Sequence, residues 1–362
     1  MKSKNFAQQH LSSLGGIKVI AMLLLFWWHS SIPNPNVDLG ARTCELLFVT
    51  SGFLVGYNYF YKGMPKTWKA SFMYAIKKII RFWPLHFCVL LIMFLRTIII
   101  NGCIQLSNIL IALDNALLLQ AWSLNQDVYF SYNGASWFLS ALIFCYFMTP
   151  LLLTFCQKIK QSIVLFVMIA AIRYLIEYVN IKCPGMVWNF VIHTSPFIRC
   201  LEFFMGMLLV PLFMYTKEKL QSSSFFINSL VEIIITILTI ALCIMKNATW
   251  LRASFVFLFC ITVFVFAFNR GILSRIFSAR IFELFGKIQF EFFIFHQAII
   301  ICLFNWFSRI TSDWRIVNSL LFITIIACAI GYKKFMSQKL SKIISNGIRK
   351  LFGYFEIAPE KL

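Results

Sequence analysis

The sequence predicts an all-α fold, a polytopic transmembrane helical bundle of about ten spans, and three observations support this prediction. First, 60% of the 362 residues are hydrophobic and only 13% are charged, whereas a soluble domain has about 25% charged residues. Second, apolar runs of about 20 residues, the length that crosses a bilayer, follow one another along the chain. Third, the loops between these runs are short and carry most of the lysines and arginines.

The predicted spans and their loops account for nearly the whole chain, so residues 1–362 are expected to form a single domain. The spans lie near 15–32, 43–61, 82–101, 135–156, 162–180, 197–215, 225–245, 250–268, 286–305 and 316–335. A weaker apolar run at 104–121 fits either an eleventh span or a segment on the outer surface. Its polar residues are Gln105, Asn108, Asp114 and Asn115.

The distribution of basic residues predicts the orientation of the bundle. With ten spans and an inner N-terminus, the inner segments carry 21 lysines and arginines, among them Lys2 and Lys4, and the outer segments carry six. Cytoplasmic loops of membrane proteins carry such an excess, so both termini are expected in the cytoplasm. The stretch 102–134 has no lysine or arginine and is therefore placed outside, which argues against an eleventh span. The same distribution accounts for the net charge of +20 without a nucleic-acid partner.

The eleven cysteines lie mostly inside apolar runs and form no C-x-x-C pair, so neither a metal site nor a disulfide framework is expected. Buried free cysteines usually behave as small apolar side chains. Cys103 and Cys183 lie outside the predicted spans and leave one disulfide open.

Titratable side chains inside spans are costly in a membrane, so they indicate function or specific pairing. His29 lies near the outer end of the first span and Glu45 near the outer end of the second. An imidazole can act as a general base on a sugar hydroxyl, and a nearby carboxylate can fix its tautomer. The alternatives are a histidine that anchors the helix at the interface and a glutamate that extends to the interface.

Three other candidates also have structural alternatives. Lys78 and Arg81 lie one helical turn apart at the predicted inner face, where they could bind the phosphates of a nucleotide-like donor or simply be positive-inside charge. Arg199 and Glu202 are spaced i,i+3 and are expected to pair on one helix face, either as an ion pair or as a substrate contact. His296 lies deep in an aromatic span, where a packing role and a functional role both remain open.

Six short motifs follow one another between residues 14 and 296. They are Leu14–Ala21 with Lys18 and His29 separated by ten residues; Glu45–Leu54 with Ser51–Gly52–Phe53; Lys78-x-x-Arg81-x-x-Pro84; Trp137–Leu139 continuing to Tyr146 and Pro150; Arg199-x-x-Glu202–Phe203–Phe204-x-Gly206; and Gly286–Ile288 continuing to Phe295–His296. In this order and on this topology, the chain resembles the acyltransferase-3 family of bacterial membrane O-acyltransferases. The resemblance extends over nearly the whole chain.

Two features depart from the family pattern. Gln289 and Phe290 stand where the family has Ser–Tyr, and Glu291 follows with an additional charge. Larger members also carry an extracellular SGNH-type domain. The expected bundle leaves no room for one, so the membrane domain is expected to complete the transfer alone or with a partner.

The resemblance implies an acyl-CoA donor, acetyl-CoA, presented from the cytosol of a bacterial cell at its inner membrane, with no metal. The acceptor is expected to be a hydroxyl of a cell-surface or lipid-linked glycan. His29 is expected to be the general base or proton shuttle, Glu45 its orienting group, and Arg199 a contact to the oxyanion or the sugar. The residues expected at the inner mouth, for the donor phosphates, are Lys18, Lys78 and Arg81.

Ser51 is expected to pack beside Gly52, because it lies in a helix without a nucleophile elbow. A glycolipid transporter or flippase is the main alternative function, since it shares the span count and the intramembrane charges. Transporter folds often contain repeated halves, and no repeat is visible in this sequence. The acceptor hydroxyl, the acyl group and the oligomeric state stay open at this point.

Overall fold

The protein folds into a bundle of α-helices in a computed structural model that describes residues 10–32, 38–62, 67–220, 223–244 and 252–352. Lys2 and Lys4 lie outside the described residues. The described residues contain no β-strand. The helices in chain order are α1 Ser12–His29, α2 Leu39–Lys62, α3 Trp68–Asn101, α4 Leu106–Ala116, α5 Gln126–Tyr129, α6 Trp137–Thr154, α7 Ile159–Lys182, α8 Met186–His193, α9 Pro196–Lys219, α10 Phe225–Ile244, α11 Arg252–Ala267, α12 Ile272–Phe277, α13 Arg280–Lys287, α14 Gln289–Ile310, α15 Trp314–Phe335 and α16 Ser337–Phe352.

Within the described ranges, nine helices are long and apolar enough to cross a membrane: α1, α2, α3, α6, α7, α9, α10, α14 and α15. The remaining predicted span, near 250–268, corresponds to α11, an apolar helix of 16 residues that is shorter than the others. The predicted all-α transmembrane bundle is therefore confirmed, and the protein is a multi-pass membrane protein. The orientation of its termini stays a prediction.

The run at 104–121 is not an eleventh span, because α4 has 11 residues and reaches only about 16 Å along its axis. It folds back along α3. Trp83 Nε1 donates to the carbonyl oxygen of Ala116 at 2.7 Å, and His86 Nε2 lies 2.8 Å from the carbonyl oxygen of Asn115. These α3 residues precede the end of that helix by about 22–27 Å. The two cysteines outside the predicted spans, Cys103 and Cys183, are both free and exposed in the structure.

The closest helix contact joins α2 to α9, and glycine makes it possible. A Cβ atom on Gly52 would overlap the backbone of Phe203, and one on Gly206 would overlap the backbone of Val49. Small residues allow the backbones of membrane helices to touch in this way. Ser51 is next to Gly52 on this helix, and the packing role expected for it stays a prediction.

This contact predicts that Gly52→Ala destabilises the protein. The new methyl group has to push α9 away, at a cost of about 1–3 kcal/mol for overpacking. Gly331→Ala on α15 is the matched control, because a Cβ atom there meets nothing within 4 Å. The measurement is the thermal unfolding midpoint in detergent. We expect a lower midpoint for Gly52→Ala only, and equal midpoints would contradict the close contact.

Candidate active site

A cavity of about 470 Å³ opens at the end of the bundle where α1 ends and α2 begins. Its polar wall is formed by His29, Asp38, Gln126, Tyr129, His193 and Gln297. Its aromatic wall is formed by Trp28, Phe130, Trp137 and Phe293. A concave site of this size, largely apolar with a few convergent polar groups, is typical of small-molecule binding.

The segment between α4 and α6 closes one side of this cavity and is fixed to α14. Asn133 Nδ2 donates to the carbonyl oxygen of Ile294 at 2.9 Å. The backbone N–H of Ala135 donates to Gln297 Oε1. Since Gln297 also lines the cavity, these bonds make α14 and the segment before α6 one wall of the site.

His29 is the last residue of α1 and lies half-buried in the cavity wall. Its ring centroid is 5.3 Å from that of His296, with the ring planes inclined by 48°. His296 is fully buried behind it on α14. The structure thus brings together two of the residues that the sequence singled out, although they are far apart in the chain.

Glu45 is also buried, but its partner is Arg42. Arg42 Nη1 lies 2.6 Å from Glu45 Oε2, and the guanidinium also stacks over the ring of Phe255 at 4.7 Å. In the part of the chain that the structure describes, no hydrogen bond joins Glu45 to His29. The carboxylate that shares the cavity wall with His29 is that of Asp38, which accepts the backbone N–H of Ala41 at 3.0 Å.

Arg199 and Glu202 form the ion pair that their spacing predicts, with Nη1 and Oε2 2.7 Å apart. Arg199 also donates to the carbonyl oxygen of Ile192, and Arg173 Nη2 approaches the second carboxylate oxygen of Glu202 to 3.4 Å. All three charged side chains are at most 1% exposed. Arg199 is absent from the described cavity wall, so this cluster lies behind the site.

Lys18 lies on α1, about 16 Å along the axis from His29. It is half-buried and close enough to Arg81 on α3 to be repelled by it. Glu291, on α14, is attracted to both Arg81 and Lys333. This carboxylate, an unexpected charge in the sequence, is therefore a counter-charge for a group of cations. Lys18 and Arg81 are the two predicted donor residues that the structure places near each other.

Lys78 lies one turn before Arg81 on α3 and contacts two tyrosine rings. Its ammonium lies 5.2 Å from the ring centroid of Tyr74, one turn earlier on the same helix, and 5.9 Å from that of Tyr146 on α6. The second of these cation–π contacts joins α3 to α6. In the described residues, no group of three or more histidine, cysteine or acidic side chains could hold a metal ion.

Residues 11–333 match the family model Acyl_transf_3, the acyltransferase domain. The chain belongs to the acyltransferase-3 family. Comparison with curated proteins and with solved structures finds no further match. The family assigns this membrane protein a membrane acyltransferase activity.

In this acyltransferase-3 protein, the motifs divide by what their residues contact. His29 lies at the cavity, and Lys18 lies some distance along α1, within electrostatic range of Arg81 on α3. Gly52 and Gly206 make the helix contact between α2 and α9 instead. Sequence reasoning missed Arg42 and Asp38. The i,i+3 spacing of Arg42 and Glu45 is the signal that could have found the first, and no periodic pattern marks the second.

The buried cluster predicts a large stability effect for Glu202→Gln. The amide leaves Arg199 and Arg173 without their counter-charge, and breaking a buried pair costs about 3–5 kcal/mol. Glu283→Gln is the control, because Glu283 pairs with Lys287 at 3.1 Å on the surface with both side chains exposed, where such a pair contributes about 0–1 kcal/mol. Thermal unfolding midpoints are the measurement. Similar shifts for the two variants would contradict a buried charge cluster.

Proposed function

We propose that this acyltransferase transfers an acyl group, acetyl, from acetyl-CoA to a hydroxyl of a cell-surface or lipid-linked glycan at the inner membrane of a bacterial cell. The observation that carries the proposal is the arrangement on α1. His29 lies in the wall of an aromatic and polar cavity, and Lys18, further along α1, lies within electrostatic range of Arg81 on α3. A base for the acceptor and one cation for the donor are thus held on α1, and α3 adds the second cation.

The donor end of the proposal rests on charge. The phosphates of acyl-CoA are anionic, and guanidinium and ammonium groups are their usual protein partners. Lys18 and Arg81 would hold these phosphates, with Lys78 nearby on α3. The axial distance from Lys18 to His29 is about 16 Å. The extended, uncharged pantetheine arm would cover this distance and bring the thioester to the cavity, while the CoA phosphates remain at the cations.

The acceptor end rests on the lining of the cavity. A sugar ring has an apolar face that packs on aromatic rings, and hydroxyls that need hydrogen-bond partners. Trp28 and Trp137 supply the first, and Asp38 and Gln126 supply the second. Because the wall combines aromatic rings with polar side chains, the site suits a sugar unit of the glycan.

His29 would take the proton of the acceptor hydroxyl as the oxygen attacks the thioester carbon, and would return it to the leaving sulfur of CoA. General acid–base transfer of this kind contributes about 10²–10⁴-fold to a rate. Glu45 acts here through Arg42, by holding the first turns of α2, whose residues Gly40, Ala41 and Cys44 line the cavity. Arg199 joins α9 to α8 through the carbonyl oxygen of Ile192, pairs with Glu202 on α9, and is an ion-pair residue in this proposal.

The first test is whether His29 is needed for glycan esters. The gene is deleted in its host, and the wild-type chain, His29→Ala or His10→Ala is restored at matched membrane levels. His10 is the control because it is exposed and precedes α1. We expect O-acyl esters, measured by NMR on glycan purified without base, to fall by about 100-fold or more with His29→Ala and to be retained with His10→Ala.

Unchanged esters in all strains would sink the proposal. If the glycan were also missing or stranded inside the cell after deletion, a transporter would be favoured and His29 would return to an anchoring role.

The second test concerns the donor. Arg81→Ala removes a charged hydrogen-bond donor from the acyl-CoA phosphates, so the KM for acetyl-CoA is expected to rise about tenfold while kcat at saturation changes little. Arg96→Ala is the control, since Arg96 lies on the same helix about 22 Å away. The measurement is steady-state acetyl transfer by the purified protein. An equal KM in the two variants would remove Arg81 from the donor site.

A further inference from the structure

The two ring nitrogens of the His296 side chain have very different surroundings. His296 is fully buried. Its Nδ1 lies 2.5 Å from the carbonyl oxygen of Phe293, one turn earlier on α14. A carbonyl oxygen only accepts, so Nδ1 carries the proton and donates it, which fixes the neutral tautomer with a lone pair on Nε2.

The Nε2 atom of His296 is buried and has no hydrogen-bond partner among the described residues. Leaving a buried acceptor unpaired costs about 1–3 kcal/mol, so a donor that reaches this lone pair is stabilised by it. The flat faces of the ring are covered by Phe292 and Phe293, with ring centroids 6.4 and 5.7 Å away. Packing therefore holds the ring in one orientation.

The polar side chain next to His296 is that of His29, at 5.3 Å between ring centroids. The titratable groups that share the cavity wall with His29 come from other elements: Asp38, Cys44, Tyr129 and His193. From α14, the titratable group that faces His29 is His296 itself. His29 thus lies between the open cavity on one side and a fixed acceptor nitrogen on the other.

We propose that His296 is a positioning residue for His29: when the half-buried His29 ring turns toward α14, the unpaired Nε2 of His296 accepts its N–H, so that the other nitrogen of His29 presents its lone pair to the acceptor hydroxyl in the cavity. This inference rests on the proposed function and adds the residue that sets the tautomer of the base. The sequence analysis gave that role to Glu45, whose carboxylate pairs with Arg42.

The proton transfers balance with this arrangement. When the hydroxyl oxygen attacks the thioester carbon, the O–H bond breaks and His29 becomes an imidazolium. Its second N–H, held by His296, donates to a neutral acceptor, which stabilises the positive charge without adding another charge. The C–S bond then breaks, and His29 returns the proton to the CoA sulfur, so both histidines end neutral.

Two substitutions separate positioning from packing. In His296→Asn the side-chain amide overlaps Nδ1, so the bond to Phe293 is kept and the acceptor at the Nε2 position is lost. In His296→Gln the amide reaches the Nε2 position, so an acceptor for His29 is kept. We expect kcat to fall about tenfold or more with Asn and to recover largely with Gln, with the KM for acetyl-CoA unchanged in both.

The rate–pH profile is a second readout. Without its acceptor, His29 holds a proton less well, so the acid limb of kcat is expected to move to lower pH in His296→Asn and to stay near the wild-type position in His296→Gln. Equal kcat losses in the two variants with an unchanged profile would show that His296 only packs.

A measurement without substrate keeps this inference separate from the proposed function. The chain has five histidines, so ¹⁵N-histidine signals of the purified protein can be assigned by single substitutions. We expect His296 in the Nδ1–H tautomer and a lower titration midpoint of His29 in His296→Asn. A His296 ring protonated at Nε2, or an unchanged His29 titration, overturns the inference. If the wild-type chain forms no O-acyl esters while the His29 titration still depends on His296, the proposed function is overturned and this inference stands.

Discussion

The contact between α2 and α9 is the constraint on which the site depends. Gly52 and Gly206 let the two backbones touch, so neither helix can move by a residue without a side chain entering the backbone of the other. This register brings the ion pair on α2 close to Glu202 on α9. Arg42 and Glu45 are near enough to act electrostatically on Glu202. Each cation has a carboxylate nearby, which is what permits charge inside an apolar bundle.

Much of the fold could be predicted because its signals are local. The length and apolarity of a span are properties of consecutive residues, and the span pattern follows from them. The pairing of Arg199 with Glu202 is equally local, since i,i+3 residues share one helix face. The depth of His29 and Glu45 can also be counted along each helix. The pairing of Arg42 with Glu45 has the same i,i+3 spacing and could have been predicted by the same rule. The rotation of each helix about its axis, which decides which residues of α1 and α2 face each other, cannot be counted in this way.

Contacts between distant segments account for what the sequence did not predict. The approach of His29 to His296 joins the first described helix to α14, and no spacing rule connects them. Glu232 on α10 is a second example. An isolated carboxylate in a span suggests chemistry, but this one accepts the backbone N–H groups of Gly271 and Ser274, each at 2.9 Å, and so caps the start of α12. The return of α4 along α3 likewise depends on packing.

The length of α3 has a consequence for the lipid around the protein. The helix has 34 residues, which is about 51 Å of helix against a hydrocarbon core of about 30 Å. Its first 14 residues, 68–81, carry Lys69, Lys77, Lys78 and Arg81, and the remaining 20, residues 82–101, match the thickness of the core by themselves. The first turns of α3 therefore extend about 20 Å beyond the hydrocarbon. Their cations lie at the level of the lipid headgroups, where anionic lipids will gather around this helix.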